Sequence, residues 1–450
     1  MTNHGSKPAL PLSAVLAALA LAACRGLGPS VTPPATASNA AVGADLSTPI
    51  RHVIVIVQEN RTPDYLFQGI PGADIAKYGT DSRGDRVKLQ PISLQTQWDL
   101  KHAHTSFLQD FNDGKMNGFD AGLPEHKYLR PFGYAPESEV APYHEMAKQY
   151  VFADRMFQSN QGPSFPAHLY IVSGTAGDAS TAPYRVATNP HDGDTGRPAP
   201  GGCDAKPSVY VATIDPRNGS AGPKPFPCFD RPVLANLLEA KHVSWRYYQP
   251  HRGAGRWEAM DAYRNVRYTH RYDNVVWPSQ RILDDVKVGR LAGVSWVIPA
   301  GAWSDHAGRL GSTKGPSWVA AIVNAVGESR YWRSTAIFIT WDDWGGWYDH
   351  VPPPIENHYE LGFRVPLVVV SPYAKRGYVS KTRHEFASLL VFTEETFGIA
   401  RGSLGTTDRR ADDLMDCFDF SRKPRAFAHI KAPPFHPGAN DGYGPGDEDI

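Results

Sequence analysis

The stretch His52-Val-Ile-Val-Ile-Val57-Gln58-Glu59-Asn60-Arg61 decides the fold class. Its unbroken Val/Ile run shows no polar alternation, so it predicts a strand buried on both faces. Such strands belong to parallel sheets covered by helices. Two further runs behave alike. Thr335-Ala-Ile-Phe-Ile-Thr340 leads into Trp341-Asp342-Asp343-Trp344-Gly345-Gly346, and Val365-Pro-Leu-Val-Val-Val370 leads into Ser371-Pro372-Tyr373. In these sheets ligands gather beyond the carboxyl ends of the strands. Glu59 and Asp342 stand at two such ends, which predicts that they meet around one cation.

Working outward, residues 232–240 read as a helix with Pro232 in its first turn, and residues 243–248 as the strand after it. Another strand is expected over 295–299, a helix over 317–326 before the Thr335 run, and a helix over 384–397 after the Val365 run. Strand and helix alternate, so the class is α/β with right-handed crossovers. Gly162-Pro163-Ser164-Phe165-Pro166 carries two prolines, which predict a rigid, exposed, irregular segment around Ser164. The tail after Lys423 is polar and rich in Pro and Gly, with little structure expected.

A chain of 450 residues accommodates one large α/β domain with insertions, or two domains. Basic and acidic residues number 46 each, so no broad basic surface for nucleic acid is expected. With 11 Trp, 20 Tyr and only 20% charged residues, the composition is that of a loop-rich globular enzyme and not a disordered chain. At the start, Lys7, an apolar stretch over 8–20 and Leu21-Ala22-Ala23-Cys24 fit a bacterial lipoprotein signal. Residues 1–23 are then a signal peptide, Cys24 carries lipid, 24–50 form a flexible tether and 51–450 the folded domain. An ordinary secretory signal is the alternative. Either way export is expected, and the lipoprotein reading places the chain in the cell envelope, periplasmic or at the outer membrane.

Of the other cysteines, Cys203 and Cys228 flank a Pro/Gly-rich stretch within an expected insertion over about 178–230. A disulfide closing that excursion is the favoured pairing and contributes roughly 3 kcal/mol. No His or Lys adjoins Cys417 in sequence, so a buried thiol is expected there rather than a nucleophile. No close cysteine pair marks a zinc site.

Glu59 and Asn60 offer two hard oxygen ligands to a divalent cation; the alternative is a turn or helix cap. Asp342 and Asp343 repel each other unless exposed or neutralised, and a cation at a sheet's carboxyl end resolves this. Gly345-Gly346 allows a sharp turn and a close backbone approach. Ser164 lacks a Gly-x-Ser-x-Gly elbow, which argues against an acyl-serine hydrolase; a coordinating metal would activate its hydroxyl. His102, His306 and His350 have Asp99, Asp305 and Asp349 nearby, as general acids or stabilisers of charged oxygen do. Taken singly, each also reads as a structural histidine.

Several long motifs occur in order: Glu59-Asn-Arg-Thr62 after a Val/Ile strand, Asn112-Asp-Gly-Lys-Met-Asn-Gly-Phe119, Asp342-Asp-Trp-Gly-Gly-Trp-Tyr-Asp-His-Val-Pro-Pro-Pro354, Gly362-Phe-Arg-Val-Pro366 and Ser371-Pro-Tyr-Ala-Lys-Arg-Gly-Tyr378. Over about residues 51–400 this set resembles the bacterial phosphoesterase family that contains non-specific phospholipases C and related acid phosphatases. The resemblance implies an alkaline-phosphatase-like α/β fold, with a central mostly parallel sheet, helices on both faces and long loop insertions. It also implies a metal-assisted phosphoester site with a divalent ion of unknown identity. Glu59, Asn60, Asp342 and Asp343 match metal ligands, and Ser164 matches a nucleophile that also touches the metal. His102 matches a histidine near the phosphate; His306 and His350 match other active-site histidines. The Cys203–Cys228 segment resembles a disulfide-bearing insertion of part of the family.

The implied substrate is a phospholipid or a small phosphoester, with phospholipase C action expected first and phosphomonoesterase action second. A non-catalytic lipoprotein that binds a phosphorylated ligand is a third reading. A sulfatase or phosphonate-type relative on the same scaffold is a fourth, disfavoured because Ser164-Phe165-Pro166-Ala167-His168 lacks the arginine of the sulfatase modification motif. This chain departs from the family's frequent Asp-Glu-His-Gly-Gly by having Asp342-Asp343-Trp344-Gly345-Gly346. Pro63 and Tyr65 also stand where an aromatic and a histidine are common.

Overall fold

The Val/Ile run forms strand β1 (His52–Gln58) at the middle of a sheet, with parallel neighbours on both sides. The computed structural model describes residues 48–308 and 311–438. The expected signal peptide, Cys24 lipidation and most of the tether lie outside the described residues. In chain order the other main-sheet strands are β2 (Val151–Ala153), β3 (Trp245–Tyr248), β4 (Val275–Val276), β5 (Val294–Val297), β6 (Thr335–Trp341), β7 (Leu367–Val370) and β8 (Tyr378–Ser380). Their spatial order is β4-β3-β5-β1-β6-β7-β2-β8. All but β7 share one direction; β7 is antiparallel to both β6 and β2.

Both faces of the sheet are covered. Val53 to Val57 are at most 2% exposed, and β6 is buried along its whole length. Full burial of each such side chain contributes about 1.5–3 kcal/mol, which is why an uninterrupted apolar run is stable only here. Side chains alternate along a strand. Phe338 of β6 accordingly meets Phe392 of one helix (ring centroids 5.0 Å apart), whereas Trp341, of opposite parity, meets Tyr143 of another (5.0 Å). The first helix is α4 (Phe386–Thr396), packed on α2 (Ser164–Ser173); the second is α1 (Glu137–Gln149), packed on α3 (Gly315–Gly327). The mostly parallel, two-layered covering expected from sequence is therefore present.

Two expectations are corrected. Because β7 runs backwards, Ser371 lies at the opposite rim from Glu59 and Asp342, where its hydroxyl donates to Thr335 O at the start of β6 (2.9 Å). The prolines around Ser164 do not exclude regular structure either. Pro163 is the N-cap of α2, and Ser164 opens the helix. Pro166 sits in the first turn, where a missing N–H has no intrahelical acceptor to lose. Far from being exposed, Ser164 is fully buried.

The excursion between Cys203 and Cys228 is closed by the expected disulfide. Beyond Lys423 the described residues form no regular element, yet Ile430 is buried, and Phe427 and Phe435 pack against Trp332 and Trp303.

Candidate functional site

Register brings the first two acids together. Within the β1–β6 pair, Gln58 lies opposite Trp341, so the next residues, Glu59 and Asp342, emerge side by side at the carboxyl rim. The backbone then turns: Asn60 has a φ of 57°, and its N–H donates to Asp342 Oδ1 at 3.0 Å. Gly345 is required across from it, since a Cβ there would sit 2.4 Å from Asn60 O.

The side-chain amide of Asn60 is the most telling group. One end lies 3.1 Å from Glu59 Oε2 and 3.1 Å from Asp342 Oδ1; the other lies 3.1 Å from His102 Nε2 and 3.2 Å from His306 Nε2. Each ring spends its Nδ1–H on a backbone carbonyl, His102 on Leu100 O (2.8 Å) and His306 on Ala307 O (2.7 Å). In the neutral rings Nε2 is then an acceptor, which turns the amide nitrogen towards the histidines. The amide oxygen is left facing two carboxylate oxygens, an arrangement that repels unless a cation lies among them. Oxygen ligands stand about 2.9 Å apart around octahedral Mg²⁺ and somewhat further apart around Ca²⁺, which brackets the spacing seen. Asp342 Oδ2, buried and without a hydrogen-bond partner, points to the same need. The donor set of Glu59, Asn60 and Asp342 thus fits a divalent ion.

Helix α2 brings the remaining expected residues to this rim. Ser164 Oγ donates to Asp343 Oδ2 at 3.2 Å, and Asp343 Oδ1 accepts from Gly345 N at 2.7 Å. One turn later on the same helical face, His168 Nε2 lies 2.9 Å from Glu59 Oε1 and 3.9 Å from Asp342 Oδ2. Sequence reasoning missed His168. Its signal was the four-residue spacing from Ser164, hidden while the prolines argued against a helix.

The insertion contributes too. Asn189 Oδ1 accepts from Phe165 N (2.9 Å), satisfying one of the open N–H groups in the first turn of α2. Thr188, Asn189, His191 and Pro198 line a cavity of about 220 Å³ with Lys101, His102 and Pro163, directly beside Ser164 in the chain.

Other expected residues take different places. Asp99, His102 and His306 present ligand-type atoms within 4.8 Å of one another. Asp305 accepts from Tyr143 Oη (2.7 Å) and Trp341 Nε1 (3.2 Å), and burial pushes its carboxyl up to about 6. Trp344 donates its indole N–H to the buried Asp110 (3.1 Å) and sets its ring edge-on to His102.

His350 is not brought to the Ser164 set. Its Nδ1 lies 2.8 Å from Asp64 Oδ2 and its Nε2 lies 3.0 Å from Asp74 Oδ1. Burial by itself lowers the imidazole's pKa, but the hydrogen bond and charge of Asp64, with Asp349, outweigh it and push it up to about 9. A histidine raised on folding stabilises most where both states are protonated. Its contribution is therefore full below about pH 6.5 and disappears as pH rises through about 9. Denaturant melts of wild type and His350→Gln, taken across that range, are expected to converge at the alkaline end.

The sequence profile described as Phosphoesterase family matches residues 50–400. Among curated relatives, the non-hemolytic phospholipase C of Pseudomonas aeruginosa is 23% identical over an alignment covering 83% of this chain and 57% of the relative. The hemolytic phospholipase C of the same organism is 24% identical, with 90% and 60% covered. Phospholipase C A of Mycobacterium tuberculosis is 26% identical, with 84% and 79% covered. The chain thus spans less than two thirds of the length of the two Pseudomonas relatives. Among solved structures, a protein in the alkaline phosphatase superfamily from Vibrio parahaemolyticus aligns over 81% of this chain and 70% of its own, at 10% identity and a TM-score of 0.36.

Proposed function

Since the chain belongs to the phosphoesterase family, we propose that it hydrolyses phosphate esters by metal-assisted attack of Ser164 on phosphorus. The observation that carries this is the convergence on one rim of a buried serine, its carboxylate partner Asp343 and the Glu59–Asn60–Asp342 oxygens. Glu59, Asn60, Asp342 and Asp343, with Ser164, would hold a divalent cation, which would supply Lewis-acid stabilisation of phosphoryl charge.

The chain's own groups do the rest. Asp343 accepts the Ser164 proton as Oγ forms its bond to phosphorus. The amino end of α2 favours the negative charge gathered there. The proton taken by Asp343 passes through solvent to the leaving oxygen, while His102 and His306 face the phosphoryl oxygens. His350, with both nitrogens engaged by carboxylates, has no part in this chemistry. Water then cleaves the phosphoserine, with Asp343 taking the water's proton and giving it to the departing Ser164 Oγ. His168 holds Glu59 in place. His168→Ala is expected to weaken divalent-cation binding about 10–100-fold by calorimetric titration, as loss of an outer-shell partner does.

Phospholipase C action is the first reading, supported by the names of the relatives. A cavity of about 220 Å³ holds a head group but not two acyl chains, which would stay outside its mouth. That size also favours the second reading, a phosphomonoesterase. The purified protein, supplied with divalent cations, is tested on a chromogenic phosphomonoester and on phosphatidylcholine vesicles. Cleavage of neither ends the proposal, and the ratio of kcat/KM values selects between the readings. Lipid attachment at Cys24 in the cell envelope is the proposed location, supported by Leu21-Ala22-Ala23-Cys24.

A further inference from the structure

A second gathering of metal-type donors lies at the far edge of the sheet. The turn Met415–Cys417 packs against the edge strand β8, and His384 follows that strand by four residues. We propose that His384, Asp416 and Cys417 form a structural site for a zinc-class divalent cation, separate from the rim that carries Ser164.

The distances are those of a coordination sphere. Asp416 Oδ1 lies 3.6 Å from His384 Nε2 and 3.5 Å from Cys417 Sγ, and the ligand atoms of all three fall within 4.8 Å of one another. Around tetrahedral zinc, with ligands about 2.0–2.3 Å from the ion, neighbouring donors stand roughly 3.3–3.7 Å apart. A thiolate, an imidazole and a carboxylate together select zinc over the hard cations suited to the oxygen-rich rim.

The groups behind these donors are set as in known zinc sites. Asp412 Oδ1 lies 2.7 Å from His384 Nδ1, a carboxylate behind the ring whose Nε2 faces Asp416 and Ser380. The other oxygen of Asp416 accepts from the hydroxyls of Ser380 and Thr382, leaving Oδ1 for the ion. Ser380 Oγ, 3.0 Å from His384 Nε2, stands nearest a fourth position, which it or a water fills. His384 and Cys417 are at most 1% exposed, while the Asp416 side chain is 24% exposed and gives the ion a way in. Burial keeps the Cys417 thiol protonated on its own. Binding therefore breaks the S–H bond, forms the metal–sulfur bond and releases the proton to solvent. The ion would fasten the chain after α4 to the sheet's last strand.

The competing arrangement is His384 held between Asp412 and Ser380 with no metal at all. Zinc content and cobalt spectroscopy separate the two, using full-length protein in a Cys24→Ala background, so that Cys417 is the sole thiol outside the Cys203–Cys228 bond. The expected result is a cobalt–thiolate charge-transfer band that Asp342→Asn keeps. Cys417→Ser and His384→Gln are each expected to lose about one zinc per chain, and Cys417→Ser to lose the band. If the Cys24→Ala protein shows no such band, the site is refuted, whether or not the variants fold. Zinc content unchanged in both folded variants refutes it equally. Neither readout depends on phosphoester turnover.

Discussion

Ser164→Ala is expected to lower kcat for phosphoester hydrolysis by about 10⁴-fold or more, the loss typical of removing a covalent nucleophile. Stability falls by about 1.5–3 kcal/mol, because one hydrogen bond to a buried carboxylate is lost and no cavity large enough to matter is opened. The two readouts together are diagnostic. The Ser164 hydroxyl touches Asp343 and sits at the amino end of a fully buried helix, so the backbone that holds it does not rely on Oγ. Steady-state kinetics with a chromogenic phosphomonoester, alongside urea melts, measure both. Should the variant keep more than a tenth of wild-type activity, water and not Ser164 is the attacking group, and Asp343 becomes its base.

Arg364→Met is expected to destabilise the fold by about 3–5 kcal/mol, the cost of stranding buried charges. Arg364 is fully buried. Its Nε and Nη2 reach Asp349 at 2.8–3.1 Å, and its Nη1 donates to Asp154 Oδ1 at 3.1 Å. Without it Asp349 stays in the interior with its guanidinium partner gone, while Asp154 keeps Lys381. Burial already raises the Asp349 carboxyl, with Arg364 opposing the rise, so the variant pushes it higher still. An acid raised on folding destabilises at neutral pH, and this penalty vanishes once both states are protonated, below about pH 4. Urea melts of variant and wild type are expected to approach each other as pH falls. A constant difference, or one under about 1 kcal/mol, means that the network is not holding this loop.

Much of this was visible in the chain itself because local rules and the fold agree. The Val53–Val57 and Ala336–Ile339 runs are strands since nothing but a doubly covered sheet buries such residues. The pairing of Glu59 with Asp342 follows from two strands of equal length in register. The helix at Ser164 was misread because proline statistics describe helix interiors, whereas Pro163 and Pro166 occupy the cap and the first turn. His168 disappeared with that helix. The direction of β7 was illegible for another reason: a buried run looks the same whichever way it points, and only its partners decide. His350 looked catalytic beside Asp349 in sequence, but its partners proved to be Asp64 and Asp74, some 280 residues upstream. The meeting of His384 with Cys417 is likewise a product of tertiary structure, for neither neighbours the other along the chain.

The backward course of β7 has one more effect. The chain leaves β6 at Trp341 and re-enters the sheet at Leu367, both at the rim where Asp342 and Glu59 emerge. Residues 342–366 therefore depart from and come home to a single shore, with no crossing of the covered sheet. Lengthening such a detour costs little, about 0.6 kcal/mol for each doubling of its span. Relatives that share the acids of this rim are thus free to remodel what stands above them, changing their clientele while the foundations stay as they are.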